Sequence, residues 1–155
     1  MKVWVKALVL AIAMASPSGG QAAAPLVAFK VVVINGVPTI PVPLTDTPGD
    51  PKRGEQAVIG RHLGNCLSCH EMSALRQEEF HGEIGPSLDG VARRWNGAAL
   101  RMIIINPKHV FGATTVMPAF YRVNGLNRVR PGFAGKPILT AQQVEDVVAY
   151  LETLQ

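Results

Sequence analysis

The feature that most constrains this chain is a short run of two cysteines and a histidine, Cys66-Leu67-Ser68-Cys69-His70. These are the only two cysteines among 155 residues, and one of the four histidines follows them directly. A disulfide across two intervening residues would close a very small loop and restrain little chain entropy. A thioredoxin-like redox pair needs a strand–helix–strand unit around it, and zinc needs two more ligands at suitable spacing. The sequence shows neither pattern.

The spacing C-x-x-C-H instead predicts covalent attachment of one haem. On a helical turn, the thiols of Cys66 and Cys69 can reach the two vinyl groups, and the next residue projects its imidazole toward the iron. We therefore expect a single haem c, bound through Cys66 and Cys69, with His70 as an axial ligand.

The first 24 residues have the composition of a cleavable signal peptide. Lys2 and Lys6 precede an unbroken apolar run over residues 7–15, and small residues end in Ala22-Ala23-Ala24. Nine apolar residues are too few to span a bilayer, which takes about 20. An uncleaved anchor and a buried helix are the alternatives. We expect cleavage after Ala24, a periplasmic location and no membrane span in the mature chain.

Export also changes the net charge. The full chain has 15 basic and 11 acidic residues, a formal charge of +4, and loss of Lys2 and Lys6 leaves 13 against 11, or +2. Two haem propionates would bring the holoprotein close to neutrality. Because no long Lys/Arg run exists to follow a phosphate backbone, we exclude nucleic-acid binding.

Residues 25–50 are predicted to form an extended N-terminal arm ahead of a helical domain at 51–155. The segment 29–35 favours a strand, Gly36 favours a turn, and five prolines between 38 and 51 disfavour regular structure afterwards. A short strand or a hairpin, followed by an extended stretch, is expected. Two alternatives remain open, because the arm can pack along its own domain or embrace a partner.

The first two predicted helices are marked by capping residues. Asp50 caps a helix with Pro51 in its first turn, and residues 56–63 continue it toward the cysteine motif. Asn96 caps a second helix, which the pair Asn106-Pro107 ends.

The last helix has the clearest pattern. Thr140 and Gln143 form a capping box, and apolar residues recur at helical spacing at Val144, Val147, Val148, Leu151 and Leu154. Residues 110–137, between the second and last helices, are expected to be mostly loop. A long ordered loop in a small domain typically surrounds a ligand.

The iron also needs a ligand from the face opposite His70, or an open position. Met72 is too close to His70 to pass around the haem, and Met102 lies in an Ile-rich helix where a core role is ordinary. Met117 lies in the long loop with Pro118 after it, and a thioether there suits a low-spin electron-transfer haem. We expect Met117 as the ligand and keep the second choice open at His109. Solvated or structural roles are expected for His62 and His81.

Gly85-Pro86 follows the motif by sixteen residues. Pro86 has no N–H, but its carbonyl is free to accept a hydrogen bond from the far nitrogen of His70, as metal-bound histidines require. The alternative is a plain turn.

In this order of motifs the chain resembles class I cytochromes c. The shared features are C-x-x-C-H, the segment 85–91, Met117-Pro118 and a final helix with Tyr150-Leu151. The resemblance implies an all-α fold that wraps haem between its first and last helices, and it supports the roles of Pro86 and Met117. One departure is Val58, four residues after Gly54, where the family has an aromatic residue.

A closer resemblance, to the SoxX family, extends from about residue 54 to the C-terminus. It is carried by residues 111–112, 116–123, 125–129 and 135–140. SoxX is the monohaem subunit of the SoxAX complex of bacterial thiosulfate oxidation. The resemblance implies an electron-accepting subunit of an L-cysteine S-thiosulfotransferase, which couples thiosulfate to a cysteine of the carrier SoxYZ. It also implies a SoxA-like partner that performs the sulfur chemistry, a downstream acceptor cytochrome and no catalytic residue on this chain.

Two other functions stay open. A free-standing electron shuttle would dock through a cationic patch, drawn from Arg93, Arg94, Lys108, Arg122, Arg128 and Arg130. A small-molecule sensor or haem enzyme would have Met117 displaced or not ligating.

Overall fold

The computed structural model describes residues 26–155, so the predicted signal peptide and its cleavage site lie outside the described residues. The elements in chain order are β1 (Val32–Ile34), β2 (Val37–Thr39), α1 (Pro51–Ile59), α2 (Val91–Arg94), α3 (Gly97–Ile105), α4 (Lys108–Phe111) and α5 (Ala141–Leu151). Short 3-10 helices lie at Cys66–Ser68, Ser73–Leu75 and Pro131–Phe133. The predicted fold, mostly helical with a short hairpin, is confirmed. In this part of the chain, no helix has the length and apolar composition needed to cross a membrane.

The hairpin forms where the sequence predicts it. β1 and β2 are antiparallel, with Val32 opposite Thr39 and Ile34 opposite Val37. The two turn residues, Asn35 and Gly36, have φ values of 51° and 80°. A two-residue turn with both residues at positive φ matches the twist of paired strands, which is why Asn-Gly is favoured there.

The rest of the arm packs against its own domain. Ile40 and Leu44 are buried in the main core. The Ile40 N–H donates to the carbonyl of Ala98 at 3.0 Å, and the Leu44 N–H donates to a carboxylate oxygen of Glu145 at 2.8 Å. Residues 40–44 of the arm therefore pack along their own domain, which is one of the two arrangements left open by the sequence. β1 remains exposed.

Helix α1 begins as predicted but ends earlier. The Asp50 carboxylate accepts from the N–H groups of Lys52 and Arg53, and Pro51 occupies the first turn. The predicted continuation to Leu63 is wrong, since the helix ends at Ile59. Gly60 leaves the helical region at ψ 113° while its N–H still reaches the Gln56 carbonyl. Glycine is a poor helix former, so a tight turn replaces the next helical turn.

Helices α1 and α5 cross at very short range. Gly54 is buried at the crossing, and a Cβ there would overlap the Asp146 carbonyl and the Cβ of Tyr150. Val58 is fully buried beside it. A smaller core residue thus occupies the position at which class I cytochromes c have an aromatic side chain. The capping box of Thr140 and Gln143 starts α5 as predicted.

Helix α3 lies in the centre of the domain, in contact with α5 and β2. Asn96 caps it by accepting from the Ala99 N–H at 3.0 Å, and seven of its nine residues are buried. The loop that follows α4 returns to α3, where the Phe120 N–H donates to the Ile104 carbonyl at 3.1 Å. The carbonyl of Phe120 then accepts from the Leu139 N–H at 3.0 Å, so this loop is tied to the core at one end.

Candidate functional site

A large, mostly apolar cavity of about 770 Å³ lies between the cysteine motif, α3, α5 and the loop after α4. This volume is within the range of small-molecule and cofactor sites. Aliphatic and aromatic side chains form most of the wall, among them Leu100, Ile104, Phe120, Leu139, Val147 and Leu151. Trp95 and Phe111 also line it and meet edge to face, with ring centroids 6.0 Å apart.

The cysteine motif forms one side of this cavity. Asn65 has φ 47°, and a 3-10 turn then brings the N–H groups of Cys69 and His70 to the Cys66 carbonyl, at 3.1 and 3.0 Å. The turn places Cys66, Cys69 and His70 on the cavity wall. The two thiols do not form a disulfide.

The thiol of Cys66 is not activated for redox chemistry. Burial raises the pKa of the Cys66 thiol to about 12, so it stays protonated at neutral pH. Redox-active cysteines have lowered pKa values, because the thiolate is the nucleophile. The raised pKa therefore disfavours Cys66 as the nucleophile of a disulfide-exchange site, and both cysteines line an apolar cavity.

The imidazole of His70 is held in one orientation. Its Nδ1 lies 2.7 Å from the Pro86 carbonyl, which can only accept, so Nδ1 carries the proton. The lone pair of Nε2 is then free, and this is the form of histidine that binds a metal. Gly85 lies directly against the ring, where a Cβ would overlap the imidazole.

A small polar cluster fixes the segment that carries Pro86, and the sequence reasoning missed it. The Asp89 carboxylate accepts from the Ser73 N–H at 2.9 Å and from the Ser73 hydroxyl at 2.6 Å. Arg94 donates to the carbonyls of Ser87 and Asp89 at 2.7 and 2.8 Å. The two hydrogen bonds from Ser73, with a smaller contribution from the positive charge of Arg94, lower the pKa of the Asp89 carboxyl. The sequence signal nearest to this cluster is the segment 85–91, which carries Pro86 and the resemblance to class I cytochromes c.

The structure shows which of the candidates for the iron ligand opposite His70 lie at the cavity. Met117 lines the cavity together with His70, and Met72 and Met102 are buried in the core. His109 is exposed and is not among the cavity residues, whereas His62 is exposed at the cavity edge. His81 accepts from the Met72 N–H at 3.2 Å and contacts the Leu75 carbonyl at 3.1 Å, so both of its ring nitrogens have partners.

The charged residues at the cavity are all basic. Among the described residues that line it there is no Asp or Glu, whereas five are Arg or Lys: Arg61, Arg94, Arg122, Arg130 and Lys136. Within residues 26–155, the only basic side chains in ion pairs are those of Arg53 and Arg101, and neither lines the cavity. The cavity edge therefore presents net positive charge, which favours anionic groups on a ligand.

These residues fit a covalently bound haem. Two cysteines and an imidazole oriented by Pro86 share one wall, a thioether side chain lines the same cavity, and most of the remaining lining is apolar. Basic side chains at the edge suit two propionates. In the described part of the chain, no cluster of three or more His, Cys, Asp or Glu side chains offers a competing metal site.

Comparisons with known proteins agree with this geometry. Residues 52–155 match the family Cytochrome c. Among solved structures, the chain is similar to one in the crystal structure of SoxXA from P. pantotrophus, at 46% identity and a TM-score of 0.72. That match covers 80% of this chain and 93% of the other. A search of curated proteins found no match.

Proposed function

Because this chain belongs to the cytochrome c family, as a SoxX-type electron-transfer cytochrome with covalently bound haem c, we propose that Cys66 and Cys69 attach the haem. His70 and Met117 would then hold the iron from its two sides. The observation that carries this assignment is the single cavity that holds both sulfurs, the oriented imidazole and the Met117 thioether.

Each residue has a distinct part in electron transfer. Haem iron supplies reversible one-electron exchange, and its potential depends on the axial ligands and on burial. Pro86 holds His70 in one tautomer and one orientation, which a ligand must keep in both oxidation states. The Met117 thioether favours the reduced state and so raises the potential. An apolar wall would keep water away from a bound haem, so that little solvent would have to reorganise on electron transfer.

We further propose that the chain is the electron-accepting subunit of a SoxAX-type complex with a SoxA-like cytochrome. Its similarity to a chain of a SoxXA complex supports this. In the reaction, a sulfur–sulfur bond forms between thiosulfate and a cysteine of SoxYZ, the S–H bond breaks, and a proton and two electrons are released. With both cysteines of this chain committed to haem, the sulfur chemistry belongs to the partner. A single-haem subunit passes the electrons on one at a time to a downstream cytochrome.

This function requires export. We propose that the chain is cleaved after Ala24 and works in the periplasm as an arm, residues 25–50, and a cytochrome domain, residues 51–155. The signal-peptide pattern of the first 24 residues supports this.

A free-standing electron shuttle is the second candidate. It is favoured by the basic residues around the cavity edge, which form no ion pair within residues 26–155, since such a patch steers transient docking to an acidic protein. The two candidates differ in how the complex responds to salt. A transient complex formed by electrostatic steering weakens steeply as salt is added, whereas a stable heterodimer does not.

The deciding experiment is purification of the tagged protein from thiosulfate-grown cells at low and high salt. Spectra are recorded in both oxidation states. A salt-resistant heterodimer with a second c-type cytochrome is the expected result, together with a sulfur-to-ferric-iron charge-transfer band. A lone monomer would favour the shuttle. Protein without covalent haem would overturn the assignment.

The ligand assignment has its own matched pair of variants. Met117→Ala should abolish the charge-transfer band, because it removes the only thioether at the cavity among the described residues. Met102→Leu, a volume-conserving change in the core, should retain it. Retention of the band in Met117→Ala would exclude Met117 as the ligand.

A further inference from the structure

The side chain of Lys108 ties the loop that carries Met117 to helix α4. Lys108 is the first residue of α4, and its Nζ donates to the Thr115 carbonyl at 2.8 Å and to the Met117 carbonyl at 2.5 Å. Both acceptors lie beyond Gly112, where the chain leaves α4 at φ 84°. The ammonium group therefore closes a loop of seven to nine residues around itself.

Few other hydrogen bonds hold the backbone of this loop. The Thr115 N–H reaches the Gly112 carbonyl at 3.3 Å, and the Met117 N–H reaches the Thr115 hydroxyl at 3.4 Å, both long for hydrogen bonds. Val116 is 76% exposed and contributes little burial. After Pro118, the chain is fixed again only at Phe120, through the Ile104 carbonyl. The two bonds from Lys108 are thus the shortest hydrogen bonds to the backbone between Gly112 and Met117, and they come from a charged donor.

We propose that Lys108 is a positioning residue that holds the Met117 loop closed and so keeps the thioether at the iron. This inference rests on the proposed ligation by Met117. If Met117 holds the iron, opening of its loop would release the thioether and would leave a position that a foreign ligand could take. The apparent affinity for such a ligand therefore reports the open fraction directly.

The test is a titration of the ferric holoprotein with imidazole, chosen because it is neutral and insensitive to the loss of one surface charge. Hydrogen bonds from charged donors stabilise strongly enough that Lys108→Met should tighten imidazole binding by roughly tenfold to a hundredfold. Lys108→Arg keeps the charge and the donors, so its affinity for imidazole should lie between those of Lys108→Met and the unmodified protein. Lys52→Met, an exposed lysine of α1 without a side-chain partner in the described structure, should bind imidazole as the unmodified protein does.

The outcomes separate the two proposals. If the unmodified protein lacks the charge-transfer band, the proposed ligation by Met117 is wrong, and the proposed role of Lys108 fails with it. If the band is present and Lys108→Met binds imidazole with the affinity of the unmodified protein, Met117 is a ligand but Lys108 does not hold its loop closed. Should Lys108→Met not mature with haem, Lys108→Leu, which also lacks a donor, carries the same expectation and is judged in the same way.

Discussion

The guanidinium of Arg101 and the carboxylate of Glu145 form a buried, two-bonded pair between α3 and α5. Nε lies 2.8 Å from Oε1 and Nη2 lies 2.7 Å from Oε2, with the side chains 8% and 5% exposed. The same two groups bind the arm, since Arg101 donates to the Ile40 carbonyl and Glu145 accepts from the Leu44 N–H, each at 2.8 Å. One ion pair thus joins both helices to residues 40–44.

Removal of either charge should destabilise the fold strongly. Glu145→Ala leaves a buried guanidinium without a counter-charge and the Leu44 N–H without an acceptor, which should cost about 3–5 kcal/mol. Urea unfolding of the holoprotein measures this. The double variant Arg101→Met/Glu145→Leu should be less destabilised than Glu145→Ala, because no charge stays buried. A loss below about 1 kcal/mol in Glu145→Ala would contradict the account.

The helix crossing should not tolerate a methyl group. Gly54→Ala places a Cβ against the Asp146 carbonyl, which belongs to the α5 backbone and cannot rotate away. We expect a loss of about 2–3 kcal/mol in the free energy of unfolding. Gly132→Ala is the matched control, since a Cβ there meets nothing within 4 Å. Equal stability of the two variants would show that α1 and α5 separate more easily than their packing indicates.

The orientation of His70 should depend on Gly85. In Gly85→Ala the new Cβ occupies the position of the imidazole, so the ring must turn and lose its bond to Pro86. We expect the ferric spectrum to shift from low-spin toward high-spin, with the covalent haem retained. Gly132→Ala should leave the spectrum unchanged. An unaltered low-spin spectrum in Gly85→Ala would show that His70 does not need this orientation.

Acid should weaken the link between α1 and α5 through Asp146. Burial alone would raise the pKa of the Asp146 carboxyl, but hydrogen bonds from Arg53, Gln142 and the Asp50 N–H outweigh it and lower that pKa. Because the pKa of this carboxyl is lower in the folded state than in the unfolded state, its ionised form stabilises the fold. This contribution is fully present at pH values above the unfolded-state pKa of about 3.9, and it is lost as the pH falls through the folded-state pKa.

The corresponding measurement is urea unfolding of the protein and of Asp146→Asn at a series of pH values. The stability difference between them should be full at neutral pH and should shrink below about pH 3.9. A difference that stays constant through the acid range would show that the charge of Asp146 does not stabilise the fold.

Features that depend on neighbours in the chain were predictable from sequence. The Asn35-Gly36 turn, the caps at Asp50, Asn96 and Thr140, and the Cys66–His70 motif all involve residues within a few positions of one another. Residue type and spacing determine such interactions before any tertiary contact forms. Covalent haem and the mostly helical fold followed from these local patterns.

Tertiary structure decided the features that depend on the path of the chain. It brought Met117, rather than Met72, Met102 or His109, to the cavity of His70, and it ended α1 at Ile59. It also paired Arg101 with Glu145, 44 residues away, and aimed Lys108 at the Met117 carbonyl. Such contacts have no local sequence pattern, because a buried charge or a loop carbonyl acquires its partner only when distant segments pack together.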